Sequence, residues 1–572
     1  MTHNIEGKKR WLALIVLCMG VLMIVLDTTI VNVALPSIAA DLGFSETALV
    51  WVVNAYMLTF GGFLLLGGRL GDLYGHRKLF LAGITLFTLA SLACGLANSQ
   101  VMLVCARAIQ GLGGAVVSAV SLSLIMNLFT EEGERAKAMG VYGFVCAGGG
   151  SIGVLLGGLL TNLLSWHWIF LVNLPIGIAV YGACIALMPA GRGHAHGERL
   201  DVAGAATVTA SLMLAVYAIV NGNEAGWLSA QTVGLIVVAL ALLGAFLIIE
   251  ARVAHPLMPL KLFTLRNVAT ANVVGVLWAA AMFAWFFISA LYLQRVLAYA
   301  PLQVGLAFLP ANLIMGFFSL GLSARMVMRF GIRRPLAVGL FLAALGLLLF
   351  ARAPVNGHFV VDVLPGMVLL GVGAGVAFNP MLLAAMSDVD PADSGLASGI
   401  VNTSFMMGGA LGLAVLASLA AAQSASSGAQ QADTPAALAS GYHVAFLVGA
   451  IFAAMAATIG GALLRPGSPS VAQRERDGDT LKQQMEQSPR ARPRMFPIWF
   501  AAASRRISTR TARRSKRSSP TIFISPVRAT IISTGANTSN AAGRSTNRSR
   551  SFRSRSCSAK AAKRSCVMRA SR

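Results

Sequence analysis

Long apolar runs separated by short polar segments make up most of the chain before residue 465. Each run reaches or exceeds the roughly 17 to 25 residues that an α-helix needs to cross a hydrocarbon core about 30 Å thick. The predicted spans are 11–35, 49–66, 79–97, 101–128, 137–161, 167–188, 202–221, 231–250, 268–293, 302–323, 335–352, 361–385, 396–421 and 441–464. The pattern predicts an all-α polytopic membrane protein with about 14 transmembrane helices.

The first apolar run, Trp11–Leu35, follows three basic residues, as the core of a secretory signal peptide does. It is too long for a signal peptide and has no small-x-small cleavage site before it ends at Pro36, so we predict a retained first span. Loops on the side of the N-terminus carry most of the loop Lys and Arg, which the positive-inside rule assigns to the cytoplasm. We therefore expect a multi-pass protein of the cell (inner or plasma) membrane, with both termini cytoplasmic.

Composition and charge separate a membrane body from a basic tail. Hydrophobic residues are 56% of the chain and charged residues 12%, about half the charged share of a soluble domain. The formal net charge is +24, but the residues from Arg465 onward carry 25 Lys and Arg against 4 Asp and Glu, a net of +21. The tail lacks hydrophobic periodicity, so we predict that it is disordered and a non-functional extension. Because a nucleic-acid role would rest on the charge of this tail alone, a nucleic-acid partner is not expected.

Seven cysteines are scattered singly through the apolar runs and the tail, without metal-ligand or disulfide spacing. The sequence therefore predicts neither a metal site nor a disulfide framework, and no cofactor.

A glycine-punctuated basic segment, GGRLGDLYGHRK at 67–78, lies between the second and third runs. We predict a short loop at the cytoplasmic face, because these charges cannot lie in lipid. Its marked residues are Gly68, Arg69, Gly71, Asp72, Gly75, Arg77 and Lys78. Segment 321–335 repeats the pattern, with Met328 in the place of Asp72. Since many transporters are built from repeats, we predict two six-helix halves. The divisions are a first half at 1–190, two extra spans at 191–266, a second half at 267–466 and the tail at 467–572.

Asp27 is the acidic residue that we find well inside a predicted span. A carboxylate at membrane depth is costly, and it normally faces a partner or a functional path. At a rise of about 1.5 Å per residue, Asp27 lies roughly 12 Å and Arg107 roughly 9 Å from the outer ends of their spans. We expect an ion pair if the helices adjoin, with Gln110 one turn away, and protonation would release it, as a proton switch requires. The structural alternatives are that Asp27 only bonds a neighbouring helix and that Arg107 only bonds backbone carbonyls.

The fifth span carries Gly149, Gly153 and Gly157 at four-residue spacing, followed by Gly158. Glycines at this spacing form a flat stripe on one helix face and allow another helix to approach closely. Such stripes are common in membrane proteins, so this one predicts helix packing and nothing more specific.

Six segments together carry a resemblance to a known family. They are LDTTIVNVALPSI, the segment 67–78, RAIQGLGGA, GSIGVLLGG, WHWIFLVNLPIG and SGLASGIVNTSFMMGGALG. They resemble successive motifs of the fourteen-span drug:proton antiporter branch of the major facilitator superfamily, the multidrug and antibiotic efflux type. The resemblance covers about residues 11–464 and implies proton-driven export of hydrophobic or amphipathic compounds by alternating access.

The resemblance also implies roles for individual residues. It links Asp27 to coupling or substrate handling and Arg107 to proton transfer, and it places Asp72, Arg77 and Lys78 in a lock that gates conformational change. The chain departs from the family's motifs at two places. In the fifth-span motif, Val154 replaces the usual proline, which puts a kink there in doubt. Phe405 and Met406 replace the usual Arg-Gln of the thirteenth span, which favours a neutral or hydrophobic substrate.

The partners implied are protons, a small hydrophobic or amphipathic substrate, membrane lipid and an envelope-spanning adaptor. Candidate substrate contacts are Trp278, Phe283, Trp285, Phe286, Asn54 and Tyr56, for which a place in the helix core is the commoner role. An importer or facilitator of a small metabolite or siderophore is the alternative within transport. A membrane enzyme or sensor is disfavoured, because the loops show no nucleophile–base pair, metal spacing or phosphate-binding loop.

Overall fold

The structure is a computed structural model that describes residues 7–129, 131–188, 201–253, 256–387, 389, 394–426 and 434–465. Within these ranges the regular secondary structure is helical. The predicted tail at 467–572 lies outside the described residues.

The helices follow one another with short connections. They are α1 (Gly7–Leu42), α2 (Glu46–Tyr74), α3 (His76–Gly95), α4 (Gln100–Leu128), α5 (Glu132–Leu163), α6 (Trp168–Leu171), α7 (Asn173–Leu187), α8 (Val202–Ala225), α9 (Ala230–Arg252), α10 (Arg266–Leu291), α11 (Pro301–Phe317), α12 (Ser323–Phe330), α13 (Arg333–Phe350), α14 (Leu364–Met386), α15 (Ser394–Ala425) and α16 (Pro435–Leu463). Three π-helical turns add to them, at Tyr292–Val296, Phe318–Leu322 and Phe359–Val363.

Thirteen helices among the described residues are long and apolar enough to cross a membrane. The tenth predicted span corresponds to α11, which has 17 residues. The π-helical turn Phe318–Leu322 and α12 continue α11 without interruption, so this span is longer than α11 alone. Each of the fourteen predicted spans therefore corresponds to helix, and the predicted all-α membrane fold is confirmed.

The first span differs from its prediction at Pro36, where the apolar run ends but the helix does not. α1 continues through the proline to Leu42. A proline inside a helix removes one backbone donor and spreads the turn before it. In that turn, Gln294 Nε2 donates to the Val33 carbonyl oxygen at 2.9 Å. A side chain from a distant part of the chain thus binds the loosened turn.

The basic segment 67–78 is mostly helical, which corrects the predicted loop. α2 continues to Tyr74 and α3 begins at His76, so Gly75 alone separates them. Gly75 has a φ of 94°, a backbone conformation that glycine adopts far more readily than other residues. Gly331 has a φ of 73° and, with Ile332, separates α12 from α13. The repeat that the sequence predicts therefore has a structural counterpart in two glycine breaks.

We call α1–α7 the first half, α10–α16 the second half, and the face of the bundle at the start of α1 the proximal face. At the opposite, distal face, Glu46 at the start of α2 binds two groups of the second half. Arg295 Nη1 lies 2.7 Å from Glu46 Oε1, and the Tyr442 hydroxyl donates to the same oxygen at 2.8 Å. With the bond from Gln294, these contacts join the halves at the distal face, and we call them the distal closure.

Of the two extra spans, α8 packs on the seam between α2 and α15, and α9 packs against α8. A Cβ at Gly62 of α2 would lie 3.1 Å from Cβ of Thr209 on α8. Asn223 of α8 donates to the Ser418 carbonyl oxygen of α15 at 2.8 Å. The predicted boundary near residue 190 falls in 189–200, outside the described residues, so the predicted divisions stay predictions.

Replacing Gly75 with alanine should lower stability, because an L-residue at this φ is strained by about 1 to 3 kcal/mol. The measurement is the thermal unfolding midpoint of the detergent-purified protein. Gly68→Ala is the matched control: Gly68 lies in the same segment inside α2, and a Cβ there meets nothing within 4 Å. Alanine is also the better helix former, so Gly68→Ala should keep or raise the midpoint. Equal midpoints for the two variants would contradict the strain at Gly75.

Candidate functional site

A buried ion pair lies at the centre of the first half. Asp27 on α1 and Arg107 on α4 have side chains that are 0% and 1% exposed, and Arg107 Nη1 lies 2.5 Å from Asp27 Oδ2. The expected ion pair is therefore present in the structure. Two opposite charges removed from water in this way depend on one another, since either charge left alone would be strongly destabilising.

Gln110 completes a triangle with the two charged residues. Its Oε1 accepts from Arg107 Nη1 at 2.7 Å, and its Nε2 donates to Asp27 Oδ1 at 2.7 Å. Arg107 and Gln110 are three residues apart on α4, so they lie on the same face of the helix. Both predicted partners of Asp27 therefore reach it from one helix.

Two residues that the sequence reading did not select also belong to the site. Ser91 on α3 accepts from Gln110 Nε2 at 2.7 Å. Asn173, the first residue of α7, donates from Nδ2 to Asp27 Oδ1 at 3.2 Å. Asn173 was visible only as one letter of the motif WHWIFLVNLPIG, and Ser91 as one polar residue in an apolar run. The site thus joins α1, α3, α4 and α7.

Arg107 also bonds the backbone of α2, as the structural alternative expected. Its Nε donates to the Val52 carbonyl oxygen at 2.9 Å, and its guanidinium carbon lies 4.5 Å from the centre of the Tyr56 ring. A cation over an aromatic face is stabilised further when both are shielded from water. Arg107 therefore has both a charge partner and a backbone anchor.

Glycines bring these helices close enough for the short side chains to meet. A Cβ at Gly111 of α4 would lie 3.1 Å from Cα of Tyr56, and a Cβ at Gly113 would lie 2.9 Å from Cα of Phe87 on α3. Such approaches leave no room for a larger residue. The glycines that follow Arg107 therefore set the spacing of α2, α3 and α4 around the ion pair.

The predicted stripe on α5 packs against the helix that carries Asp27. A Cβ at Gly149 would lie 2.9 Å from Val25 Cγ1, and a Cβ at Gly157 would lie 2.6 Å from the Ile30 carbonyl oxygen. Gly153 faces Leu26 and Thr29 between them. Gly158 points elsewhere, because a Cβ there would lie 2.6 Å from the Pro301 carbonyl oxygen at the start of α11. α5 runs unbroken through Val154.

The basic segment at the proximal face lies apart from the ion pair. Arg77 Nη2 donates to the Ile185 carbonyl oxygen near the end of α7 at 2.9 Å. Gly71 is buried against His76, and Lys78 is exposed. Gly68 and Arg69 lie on α2, whereas the side chain of Asp72 lies outside the described residues. The segment links α3 to α7 and does not reach Asp27.

The candidate substrate contacts divide into core and interface residues. Trp278, Trp285 and Phe286 are buried in the second half, as a core role predicts. Phe283 is half-buried, and its ring centre lies 5.8 Å from that of Phe405. Asn54 of α2 donates to the Ala410 carbonyl oxygen of α15 at 2.8 Å and so joins the two halves. Tyr56, buried beneath Arg107, belongs to the ion-pair site.

The chemistry that this arrangement allows is proton exchange at a carboxylate. The network holds one carboxylate, one guanidinium, two amides and a hydroxyl, which can store and release a proton at Asp27 but present no activated nucleophile. Within the described ranges no group of three or more His, Cys, Asp or Glu residues is placed to hold a metal ion.

Comparisons with known proteins agree with the fold. The family model described as Major Facilitator Superfamily matches residues 17–413. The puromycin resistance protein pur8 of Streptomyces alboniger is 38% identical over 447 residues, 78% of this chain and 88% of its own. The cephamycin export protein CmcT of Amycolatopsis lactamdurans is 38% identical over 443 residues, 77% of this chain and 90% of its own.

Solved structures show the same fold at low identity. The nucleoside transporter NupG has a TM-score of 0.55 at 12% identity and covers 79% of this chain and 100% of its own. A bacterial homologue of the human lysosomal transporter Spinster has a TM-score of 0.56 at 16% identity and covers 81% of this chain and 98% of its own. At these identities the likeness concerns the fold alone.

Replacing the two charged residues singly and together should give an ordered set of stabilities. Asp27→Leu leaves a buried guanidinium, which cannot lose its proton, and should cost about 3 to 5 kcal/mol. Arg107→Leu should cost less, because the remaining carboxyl group can take up a proton and become neutral. The double variant should be more stable than Asp27→Leu. Thermal unfolding midpoints in detergent give the order, and an Asp27→Leu variant more stable than Arg107→Leu would contradict it.

Proposed function

The chain belongs to the major facilitator superfamily, and on that premise we propose that it exports hydrophobic or amphipathic small molecules, antibiotics among them, in exchange for protons. Relatives named for puromycin resistance, cephamycin export and lincomycin resistance support this proposal. The observation that carries the coupling is the buried pair of Asp27 and Arg107. An ionisable group kept at membrane depth is costly, and proton relays are a main reason for such groups.

In the proposed mechanism, Asp27 alternates between two states. The ionised carboxylate is held by Arg107, Gln110 and Asn173, which ties α1 to α4 and α7. A proton that neutralises Asp27 removes its attraction to Arg107, so α1 and α4 are free to shift relative to one another. Loss of the proton restores the pair. Proton uptake and release thus bias the first half between two packings, as alternating access requires.

The distal closure is the proposed outer gate. We assign the proximal face to the cytoplasm, because the basic residues of segment 67–78 lie there and the positive-inside rule favours that side. Glu46 then bonds Arg295 and Tyr442 at the outer surface, and these contacts must break before a substrate can leave outward. We propose further that segment 67–78 contributes to the inner gate through the link from Arg77 to α7.

The direct test is export of a fluorescent cationic dye, and of puromycin and lincomycin, from whole cells with and without a proton gradient. The wild-type protein should export, and Asp27→Asn should lose gradient-driven export at least tenfold, because the amide cannot exchange a proton. Asp201→Asn is the matched control: Asp201 is buried and caps α8 through a 2.7 Å bond from the Gly204 amide, a role that asparagine also fills. It should transport normally.

All variants are compared at equal membrane abundance. Export that survives both collapse of the gradient and Asp27→Asn would exclude proton coupling through this residue. Net uptake by the wild-type protein would favour the importer alternative.

Removing the charge of the outer gate should shift the protein toward its outward-open state. Glu46→Gln keeps an acceptor for Tyr442 but loses the ion pair with Arg295, and a partly exposed pair is worth about 0.2 to 1 kcal/mol. The outward-open population should therefore rise by a factor of up to about five. Spin labels at Val101→Cys and Val360→Cys, two exposed positions near the distal face, report the change as a longer distance.

Glu134→Gln is the control for this measurement. Glu134 pairs with Arg10 at 3.2 Å within the first half and joins no residue of the second half in that contact. Its loss should leave the distance between the labels unchanged. A shift of the same size in both variants would show that the label distance does not report the outer gate.

A further inference from the structure

The two oxygens of the Asp27 carboxylate have different partners. Oδ1 accepts from Gln110 at 2.7 Å and from Asn173 at 3.2 Å, whereas Oδ2 accepts from Arg107 at 2.5 Å. A carboxylate oxygen has two lone pairs that can accept hydrogen bonds. The two amides therefore occupy both acceptor positions of Oδ1, and the free acceptor position of the carboxylate lies on the oxygen that faces the guanidinium.

Asn173 is held in place by contacts that do not involve Asp27. It begins α7, one residue after the bend at Val172 that follows α6, and its side chain is 1% exposed. On one side of the bend, a Cβ at Gly95 of α3 would lie 2.7 Å from Leu171 Cγ, and on the other a Cβ at Gly177 would lie 3.1 Å from Thr88 Cβ. Both sides of the bend are thus packed against α3, so the amide is a fixed donor.

Taking the proposed proton exchange as given, we propose that Asn173 is a positioning residue that directs the incoming proton to Oδ2 of Asp27. At Oδ2 the proton competes with Arg107 for the same oxygen, so that proton uptake and release of the ion pair become one event. Without Asn173, Oδ1 has a free lone pair, and a proton that binds there neutralises the carboxyl group but leaves Oδ2 as an acceptor for the Arg107 guanidinium. Proton uptake then weakens the tie between α1 and α4 without breaking that hydrogen bond, so that proton uptake and the release of α4 are no longer one event.

The titratable groups around Asp27 do not determine which of its two oxygens takes up the proton. Arg107 faces it from α4, the Tyr56 ring lies under the guanidinium from α2, and Cys94 of α3 contacts Gln110 Oε1 at 3.7 Å. The α5 face packed behind α1 is the glycine stripe described above. Asn173 is the donor from α7, so the second acceptor position of Oδ1 depends on it.

The test separates coupling from transport itself. In proteoliposomes with purified wild-type protein, puromycin exchange without a proton gradient reports opening and closing, and gradient-driven puromycin accumulation reports coupling. Asn173→Leu keeps the side-chain volume and Asn173→Ala removes it, and both delete the amide. Both variants should lose gradient-driven accumulation at least tenfold and lose exchange by a clearly smaller factor, because proton uptake is no longer tied to release of the ion pair.

A control variant shows what the loss of a buried amide outside the network does. Asn272→Leu removes a buried amide that bonds the Val268 carbonyl of its own helix at 2.9 Å, and it should stay coupled.

Each outcome decides one question. Full accumulation by Asn173→Leu overturns the inference, and so does an equal loss of exchange and accumulation in both Asn173 variants, which a merely structural role predicts. If the wild-type protein exchanges puromycin but accumulates none under a gradient, the proposed proton coupling fails, and the inference fails with it.

Discussion

A single buried ion pair sets the requirements that the first half of the molecule meets. Asp27 and Arg107 lie where water is excluded, and a charge in that position is tolerated only beside an opposite charge and enough hydrogen bonds. The chain supplies these from four further groups: the amides of Gln110 and Asn173, the Ser91 hydroxyl and the Val52 carbonyl. The packing of α1, α2, α3, α4 and α7 follows from the need to bring these groups to one point.

Short side chains can meet at one point only if their helices approach closely. The glycines of α4 let α2 and α3 come near the backbone beside Arg107, and the stripe on α5 does the same behind Asp27. In membranes, close packing of small residues replaces the hydrophobic force that holds soluble helices together. The same glycines therefore hold the bundle together and define the geometry of the site. Those of α4 follow Arg107 within a few residues, whereas the stripe on α5 reaches Asp27 only through the fold.

The sequence predicts the parts of this structure that rest on length, polarity and spacing. Apolar run length predicts the spans, and similar depth in the membrane predicts the pairing of Asp27 with Arg107. Ser91 and Asn173 could not be predicted in this way. A single polar residue in an apolar run shows no spacing from which its partner on another helix could be inferred. Pro36 and the segment 67–78 mislead such reasoning. α1 continues through the proline, where Gln294 bonds the preceding turn, and the break between α2 and α3 is confined to Gly75.

The two extra spans are not equally attached to the two halves. α8 donates to α15 from Asn223, while its contact with α2 at Gly62 is one of close packing without a bond from Thr209, which bonds the Ala205 carbonyl of its own helix. In the proposed alternating-access cycle, these bonds would carry α8 with α15. The second half would then move together with the pair of helices that precedes it in sequence, against the seven helices of the first half.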